Sequence, residues 1–291
     1  MQTPKVSVLI NLFNYENFIL DCIESVINQN YPNIEIIVIN DGSNDNSLKI
    51  IESIKDIKII NKQNGGQLSA FNAGFEAISN DSEIIFFLDA DDLMNENYIQ
   101  TCVGTYIKNP QVDFMFCQKE NIYQNGEILR TKNEYKNGLI GFGLYRAYFL
   151  KDYLGTSTST ISIKKEVLDK ILPLPFESEW KIRADDCIIW GASLVCANIY
   201  NLGFYGIRYR IHGQNNHYGK NFDYNYLFKR EISIDRLFEF IINKNKIHFS
   251  TSSLYLEFLS NKERWKYIKI TLFAPFSFFK KLMLIARILK G

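Results

Sequence analysis

Short apolar runs alternate with amphipathic stretches through the first hundred or so residues of this chain. The runs are four to six residues long, as in buried strands, and they cover 6–10, 34–39, 57–60 and 84–88. Between them apolar residues recur at helical spacing, which predicts helices at about 17–28, 67–78 and 95–109 and another beginning near 45. This alternation predicts an α/β fold with a doubly wound, mostly parallel sheet and helices on both faces.

The pattern after residue 110 is less regular. A further strand is predicted at 112–117, followed by a polar, loop-rich connection at 121–143 that we interpret as a flap over a bound molecule. The hydroxyl-rich run 156–160 is predicted to be a strand with its hydroxyls in a cleft, and 171–180 a non-helical loop. The run that continues to about 198 is apolar nearly all round, which indicates a buried helix.

These predictions divide the chain into two parts. Residues 1–220 are expected to form the α/β domain, with one half at about 1–118 and the other at about 119–220. From residue 223 the apolar positions follow helical spacing again, so we predict a helical C-terminal extension over 221–291.

Three carboxylates occupy four positions directly after the run 84–88. Because side chains alternate along a strand, Asp89 and Asp91 are expected to point the same way just past its end. Two carboxylates held that close repel each other unless a cation lies between them, and oxygen ligands suit Mg²⁺ or Mn²⁺. Open α/β sheets also bind ligands at the carboxyl ends of their strands. The alternative is a polar turn in which Asp92 or Asn95 caps the next helix.

The end of the second predicted strand carries another carboxylate. Asp41 precedes Gly42, so its side chain can face the same crevice while the glycine makes the turn. A carboxylate there can accept an N–H from a nucleotide base, and a plain Asp-Gly turn is the alternative. The Gly65-Gly66 loop opens a helix and could offer backbone N–H groups to an anion, although Asn-Gly-Gly is also common loop chemistry.

These features follow one another in an order known from one enzyme family. The segments concerned are Val6-Ser7-Val8-Leu9-Ile10, Ile36-Ile37-Val38-Ile39-Asn40-Asp41-Gly42-Ser43, Asn64-Gly65-Gly66-Gln67, Asn72-Ala73-Gly74 and Phe87-Leu88-Asp89-Ala90-Asp91-Asp92. Their order and spacing resemble the family 2 glycosyltransferases of the GT-A fold over about residues 5–215. Enzymes of that family transfer a sugar from a nucleotide diphosphate sugar to an acceptor and invert the anomeric carbon.

The resemblance implies roles for particular positions. The donor-binding residues that it implies are Leu12, Phe13, Asp41, Gln67, Asp89 and Asp91. Asp41 would read the base, often uracil, and Asp89 would touch the ribose or the donor sugar. Asp91 would ligate a Mn²⁺ or Mg²⁺ ion on the diphosphate. Residues 1–118 would then be the nucleotide-binding half of the domain and 119–220 the acceptor half.

A second pair of carboxylates begins the predicted buried helix. Asp185 and Asp186 are in its first turn, where the helix dipole favours negative charge, and that alone would explain them. The resemblance instead implies that Asp186 is the catalytic base and that Asp185 orients or binds the acceptor. The chemistry needs such a base because an acceptor hydroxyl is a weak nucleophile until its proton is removed.

The segment Tyr209-Arg210-Ile211-His212-Gly213-Gln214-Asn215 resembles a Tyr-Arg-x-His-Gly-x-Asn motif of many relatives. The motif implies that His212 completes the metal site, since neutral imidazole binds Mn²⁺, whereas a lone histidine is more often structural. Two positions depart from the family pattern. Asn11 stands where a proline is frequent, and Phe71 stands where a donor-side arginine is frequent, which leaves the donor's identity open.

Composition and charge narrow the class of protein. The formal charge is +1 and no basic block interrupts the first half, which argues against a nucleic-acid partner. Five cysteines form no CxxC pair and lie mostly in apolar segments, so we expect buried, reduced thiols and a reducing compartment. The N-terminus lacks the pattern of a signal peptide, and no apolar stretch reaches the ~18 residues of a spanning helix. We therefore expect a cytoplasmic protein.

The end of the chain combines aromatic and aliphatic side chains with positive charge. From Asn261 onward there are eight Lys or Arg residues and one acid, Glu263. A basic amphipathic helix of this kind can lie on an anionic membrane surface, here the inner face of the plasma membrane, and the acceptor would then be a lipid-linked glycan. The alternative is a terminal helix that packs on a partner or on the protein itself.

The sequence thus predicts a metal-dependent inverting glycosyltransferase that moves a hexosyl or N-acetylhexosaminyl group, with UDP as the expected nucleotide. Its acceptor is expected to be a glycan or lipid-linked glycan in surface polysaccharide synthesis. The alternatives are a nucleotidyltransferase and a sugar-nucleotide- or glycan-binding relative without catalysis. The loop 11–15 lacks the glycine and lysine of a nucleotidyltransferase's phosphate loop, and the presence of Asp186 argues against an inactive relative.

Overall fold

One mixed sheet organises the protein. The structure is a computed structural model, and it describes residues 3–123, 125–130, 135–213 and 223–291. In these residues the strands are β1 Lys5–Leu12, β2 Ile34–Asp41, β3 Lys58–Lys62, β4 Ser82–Asp89, β5 Leu93–Met94, β6 Phe114–Tyr123, β7 Ile128–Arg130, β8 Gly138–Gly141, β9 Ile161–Lys164 and β10 Ile199–Ile211. The helices are α1 Ile19–Ile27, α2 Ser47–Glu52, α3 Gln67–Ala77, α4 Tyr98–Lys108, α5 Leu144–Leu150, α6 Lys165–Ile171, α7 Asp185–Leu194, α8 Tyr224–Lys244, α9 Thr251–Asn261, α10 Arg264–Phe273 and α11 Phe278–Lys290.

The strand order explains where a ligand crevice forms. The strands lie in the order β3-β2-β1-β4-β9-β6-β10-β5. The first four are parallel to one another, β9 is antiparallel to both of its neighbours, and β6 and β10 are again parallel. Because β1 lies between β2 and β4, the chain winds outward from β1 in both directions, and a crevice opens at the carboxyl ends of these strands. The expected α/β, doubly wound architecture is confirmed.

Alternation along the central strands places apolar side chains on both faces of the sheet. On β1 and β4, Leu9 and Phe87 face one hydrophobic core, whereas Val8 and Phe86 face the other. All four side chains are fully buried. This two-sided burial is why these segments read as continuous apolar runs in the sequence. Four of the five cysteines are buried free thiols, and Cys196 is exposed.

Two predictions of local structure were wrong. The run 156–160 does not pair as a strand but contains a 3₁₀ turn at Thr158–Thr160, and β9 begins directly after it. Two hydrogen bonds within the turn explain this, because they satisfy the backbone of Ser157 locally. Thr160 Oγ1 donates to the Ser157 carbonyl at 2.6 Å and accepts from the Ser157 N–H at 3.3 Å. The region 121–143 is also less irregular than expected, since the last residues of β6 and the strands β7 and β8 lie in it.

The C-terminal helices pack on the same core as one face of the sheet. Leu237, Phe258, Ile270 and Ile288 of α8 to α11 are buried in the cluster that contains Leu9. The predicted boundary near residue 220 lies outside the described residues. No helix in the described ranges is both long enough and apolar enough to cross a bilayer.

Glu257 of α9 attaches the C-terminal helices to α5. Its buried carboxylate accepts the backbone N–H groups of Tyr145 and Arg146 at 3.0 and 3.2 Å and the Tyr267 hydroxyl at 3.0 Å. The N–H groups of a first helical turn have no partner within the helix, so Glu257 satisfies two groups that would otherwise be unpaired.

We predict that Glu257→Ala lowers the free energy of unfolding by about 2–4 kcal/mol, because two buried N–H groups and a buried hydroxyl lose their acceptor. Urea titration followed by circular dichroism measures this change. Glu239→Ala, at an exposed position of α8, is the matched control and is expected to change stability by less than about 0.5 kcal/mol. Equal effects of the two substitutions would contradict this account of helix docking.

Candidate active site

A cavity of about 510 Å³ opens where the carboxyl ends of β1, β2 and β4 face the start of α7. The predicted site residues that line it are Leu12, Phe13, Asp41, Gln67, Asp89, Asp91 and Asp185. Side chains from five separate segments of the chain therefore meet in one place. The remaining two predicted residues, His212 and Asp186, are buried beside the cavity and contact other groups.

Register explains why the strand-end residues converge. Asn11 at the end of β1 pairs with Asp89 at the end of β4, and Leu12 pairs with Asn40, next to Asp41, at the end of β2. Parallel neighbours in register finish at the same edge of a sheet, so their last side chains face one crevice.

Asp41 holds the Gly65-Gly66 loop. Its carboxylate accepts the N–H groups of Gly65 and Gly66 at 2.9 and 2.7 Å and the Lys62 ammonium at 2.7 Å. The backbone N–H groups of this loop therefore donate to a carboxylate of the protein itself and not to an external anion. Gly66 has φ +89°, and a Cβ there would lie 2.5 Å from the Lys181 Cα, so only glycine allows this close approach of two loops.

Asp89 is a carboxylate whose pKa is shifted by its surroundings. Asn11 Nδ2 donates to Asp89 Oδ1 at 2.7 Å, and Gln67 Nε2 donates to the same oxygen at 3.2 Å. Burial, followed by the charges of Asp91 and Asp185, raises the pKa of Asp89 to about 7. The two amide donors lower the electrostatic cost of this carboxylate but do not remove it.

Asp91 and His212, the two expected metal ligands, lie in contact. His212 Nε2 is 2.9 Å from Asp91 Oδ2, and the imidazole is packed against the ring of Phe18, with 4.7 Å between centroids. Burial and then the charge of Asp91 raise the pKa of the Tyr15 hydroxyl, which is also a hydrogen-bond partner of that carboxylate. An imidazole and a carboxylate held side by side in this way can act as two ligands of one ion.

Asp92 has a structural role at the back of the site. It is fully buried, and its carboxylate accepts the Ser159 hydroxyl at 2.6 Å and the Arg210 backbone N–H at 3.0 Å. These bonds join the turn after β4 to β10 and to the turn before β9. Neither Asp92 nor Asn95 caps α4, which follows Asn97, so the alternative of a simple capping turn does not hold.

Gln67 connects the end of β4 to the start of α7. Its Oε1 accepts the Ala184 N–H at 2.8 Å, and its Nε2 donates to Asp89 and to Thr158 Oγ1, both at 3.2 Å. Ala184 directly precedes the pair Asp185 and Asp186. One side chain therefore sets the distance between the two acidic regions of the site.

The two carboxylates of α7 have different surroundings. Asp185 lines the cavity, and burial raises its pKa even though Arg183 and Arg230 oppose that shift. Asp186 is fully buried and forms ion pairs with Arg230 and, at 3.4 Å, with Arg183. Among the described residues, the first member of the pair faces the cavity and the second does not.

Several cavity residues were not predicted from the sequence. Lys119 of β6 lines the wall, with its ammonium 4.1 Å from the centroid of the Tyr209 ring, and burial lowers its pKa. Arg183 and Lys181 also line the cavity. Asn11 could have been found, because its position at the end of β1 mirrors that of Asp89 at the end of β4. Lys119 could not, since its strand was expected to end at residue 117.

The side chains of this site suit a divalent ion that is bound by the protein and by a ligand together. Within the described ranges, no three or more His, Cys, Asp or Glu side chains form a group that could hold a metal ion. An ion bound to a diphosphate needs only one or two protein ligands, because phosphate oxygens and water supply the others. Asp91 and His212 meet that requirement. Asn11 Oδ1, beside Asp89, is also buried with no hydrogen-bond partner in the part of the chain that the structure describes.

Residues 7–172 match the family described as glycosyl transferase family 2, which is more than half of the chain. The chain therefore belongs to glycosyltransferase family 2. It is 32% identical over 220 residues to an uncharacterized glycosyltransferase, alr2836, of Nostoc sp., covering 73% of this chain and 66% of that protein. It is also 32% identical over 184 residues to the minor teichoic acid biosynthesis protein GgaA of Bacillus subtilis, covering 55% and 40% of the two chains. The chain thus spans two thirds or less of these relatives' lengths.

Solved structures share the fold. S. aureus TarS 1–349 in complex with UDP superposes with a TM-score of 0.57 at 18% identity, over 98% of this chain and 70% of that chain. The same protein in complex with UDP-GlcNAc gives a TM-score of 0.58. At 18% sequence identity this similarity is evidence for the fold alone, and it confirms the expected GT-A architecture.

We predict that Gln67→Ala lowers the free energy of unfolding by about 1–3 kcal/mol, because the Ala184 N–H loses its acceptor and Asp89 loses a donor. Gln63→Ala, which removes an exposed glutamine from the preceding loop, is the control and should be nearly neutral. Urea denaturation of both variants measures the difference. A Gln67 variant as stable as the Gln63 variant would show that the bridge does not stabilise the site.

Proposed function

We propose that this protein transfers a sugar from a UDP-linked donor to a hydroxyl of a glycan or lipid-linked glycan, with inversion at the anomeric carbon and with a divalent metal. One observation carries the proposal: Asp41, Asp89, Asp91 and Asp185 line the same cavity. Family membership supports the reaction class. The UDP and UDP-GlcNAc complexes of TarS support the donor class, and the teichoic acid role in GgaA's name supports a surface polysaccharide as the product.

The β1–β2 side of the cavity suits a nucleoside. Phe13 is exposed on the loop after β1 and lines the cavity with Leu12, so its ring would give a base or ribose an apolar surface to pack against. Asp41 accepts three hydrogen bonds from the protein, two at Oδ1 and one at Oδ2. A carboxylate can accept about four, so Oδ2 keeps the capacity to accept one N–H from a base such as uracil.

Asp91 and His212 would hold the metal, and Asp89 would contact the ribose or the donor sugar. A bound Mn²⁺ or Mg²⁺ would neutralise the charge that grows on the departing diphosphate. The cations of Lys119, Lys181 and Arg183 in the cavity wall add positive potential where that dianion would lie. Without them, a diphosphate would enter a cavity dominated by carboxylates.

Asp185 is the base that the cavity favours. A general base must reach the acceptor hydroxyl and must be free to take a proton, with a pKa raised towards the working pH. Asp185 lines the cavity and has a raised pKa. Asp186 is fully buried, is paired with the guanidinium groups of Arg183 and Arg230, and does not line the cavity. The resemblance assigns the base to Asp186 instead, and paired substitutions decide between the two.

For donor binding we predict that a UDP-sugar with Mn²⁺ raises the melting temperature by about 5 °C at ~100 times its Kd, whereas GDP- and dTDP-sugars raise it less. The shift should shrink when EDTA replaces the metal. Asp91→Asn should show the same loss, while Glu24→Gln, at an exposed site on α1, should behave like the parent. An equal shift for all three nucleotides, or no effect of EDTA, would contradict the assigned donor and metal roles.

For catalysis we predict that Asp185→Asn lowers kcat by about 10²–10⁴-fold and leaves the donor-induced thermal shift intact. Asp186→Asn should change kcat less and should chiefly lower stability, because the partly buried guanidinium groups of Arg183 and Arg230 lose their counter-charge. UDP release from UDP-GlcNAc, measured with and without glycan acceptors, follows the reaction. Collapse of turnover in the Asp186 variant alone would assign the base to Asp186. Normal turnover in both variants would exclude both residues as the base.

A further inference from the structure

A cluster of apolar side chains is exposed where α10 turns into α11. We call it the terminal patch, and its members are Leu272, Phe273, Phe278, Phe279, Leu282 and Met283. Each is between 49% and 76% exposed, and the rings of Phe278 and Phe279 are 6.0 Å apart. Contiguous exposed apolar surface of this kind is uncommon on soluble proteins and marks an interaction site.

The terminal patch is held in a fixed orientation by the opposite faces of its helices. Tyr267 and Ile270 of α10 and Leu284 and Ile288 of α11 are buried. The Lys281 ammonium donates to the Leu272 carbonyl at 2.7 Å and closes the turn between the two helices. The inward faces are therefore occupied by the protein's own core, and the patch faces outward.

Exposed lysines flank the patch. From Asn261 onward there are eight Lys or Arg residues and one acid, and Lys269 and Lys280 are exposed beside the apolar side chains. Apolar side chains flanked by cations match the interface of an anionic bilayer, where rings enter the acyl boundary and ammonium groups meet lipid phosphates. With 13 residues, α11 is about 20 Å long, a length that suits a helix lying in that interface.

The helices that carry the patch are bonded to a wall of the cavity. Lys266 of α10 donates to Asp152 at 3.0 Å, and Arg146 of α5 donates to the same carboxylate at 2.9 Å. Asp152 begins the segment whose residues Tyr153 and Thr156 line the cavity. Because Lys266 and Arg146 share one carboxylate, α10 is anchored to the segment that forms this wall.

We propose that the terminal patch docks on the surface of an anionic lipid bilayer. Docking of this kind would favour an acceptor that is itself held in the membrane, such as a lipid-linked glycan. The docking itself does not depend on the proposed transferase activity, whereas the acceptor's location rests on it.

Flotation of the full chain with vesicles tests the proposal. One set contains phosphatidylcholine with a third phosphatidylglycerol, and the other contains phosphatidylcholine alone. We expect the protein to float with the anionic set, to bind it about tenfold more weakly at high salt, and to remain unbound with the neutral set. Trp265 is 77% exposed on α10, whereas Trp180 and Trp190 are buried, so its fluorescence should shift to the blue on docking.

Matched variants locate the contact. Phe278→Ser with Phe279→Ser removes two rings, and Lys269→Glu with Lys280→Glu reverses two charges. Each pair should weaken vesicle binding by about tenfold or more. Ile107→Ser with Lys108→Glu makes similar changes at exposed positions of α4 and should leave binding unchanged. Melting temperature and the UDP-sugar thermal shift, measured on every variant, separate loss of docking from loss of fold or of donor binding.

Three results would overturn the proposal. One is absence of binding to anionic vesicles by the parent chain. Another is that the parent and the patch variants bind anionic vesicles equally well, or that the α4 control loses as much vesicle binding as the patch variants. The third is a dimer, detected by light scattering, that dissociates when Phe278 and Phe279 are substituted but does not dissociate when vesicles are added. That result would assign the terminal patch to a second copy of the chain.

Discussion

The site depends on keeping several carboxylates close together in one cavity. Asp89, Asp91 and Asp185 share that space, and their mutual repulsion adds to the cost of burial, as the raised pKa of Asp89 shows. The fold offsets this cost with amide donors from Asn11 and Gln67. Each donor comes from a different segment of the chain, so the acidic site is stable only when β1, α3 and β4 have assembled. A cation and a diphosphate would complete the balance of charge.

The C-terminal helices contribute to this arrangement from behind the cavity. Arg230 of α8 pairs with Asp186, and Glu257 of α9 accepts N–H groups at the start of α5. The segment after α5 in turn forms part of the cavity wall. Because these contacts link α8 and α9 to the residues around the cavity, the C-terminal helices support the cavity wall as well as covering the core.

Much of the fold follows from local chemistry. Apolar runs bounded by Asp41 and Asp89 predicted β2 and β4, and the parallel βαβ pattern required their ends to meet at one edge. The run 156–160 was misread because hydroxyl side chains can satisfy the backbone within a turn as well as face a cleft. Its hydroxyls do line the cavity at Thr156, Ser157 and Thr158, although the backbone there is not a strand.

The sequence by itself determined the class of fold, the edge of the sheet that carries the site and most of its acidic residues, because strand periodicity and parallel topology are local or nearly local. The tertiary structure alone decided which of two adjacent carboxylates faces the cavity. Asp185 and Asp186 share one helical turn and differ in direction by about 100°. The rotation of α7 about its axis selects between them, and that rotation is set by packing against distant elements, including Arg230.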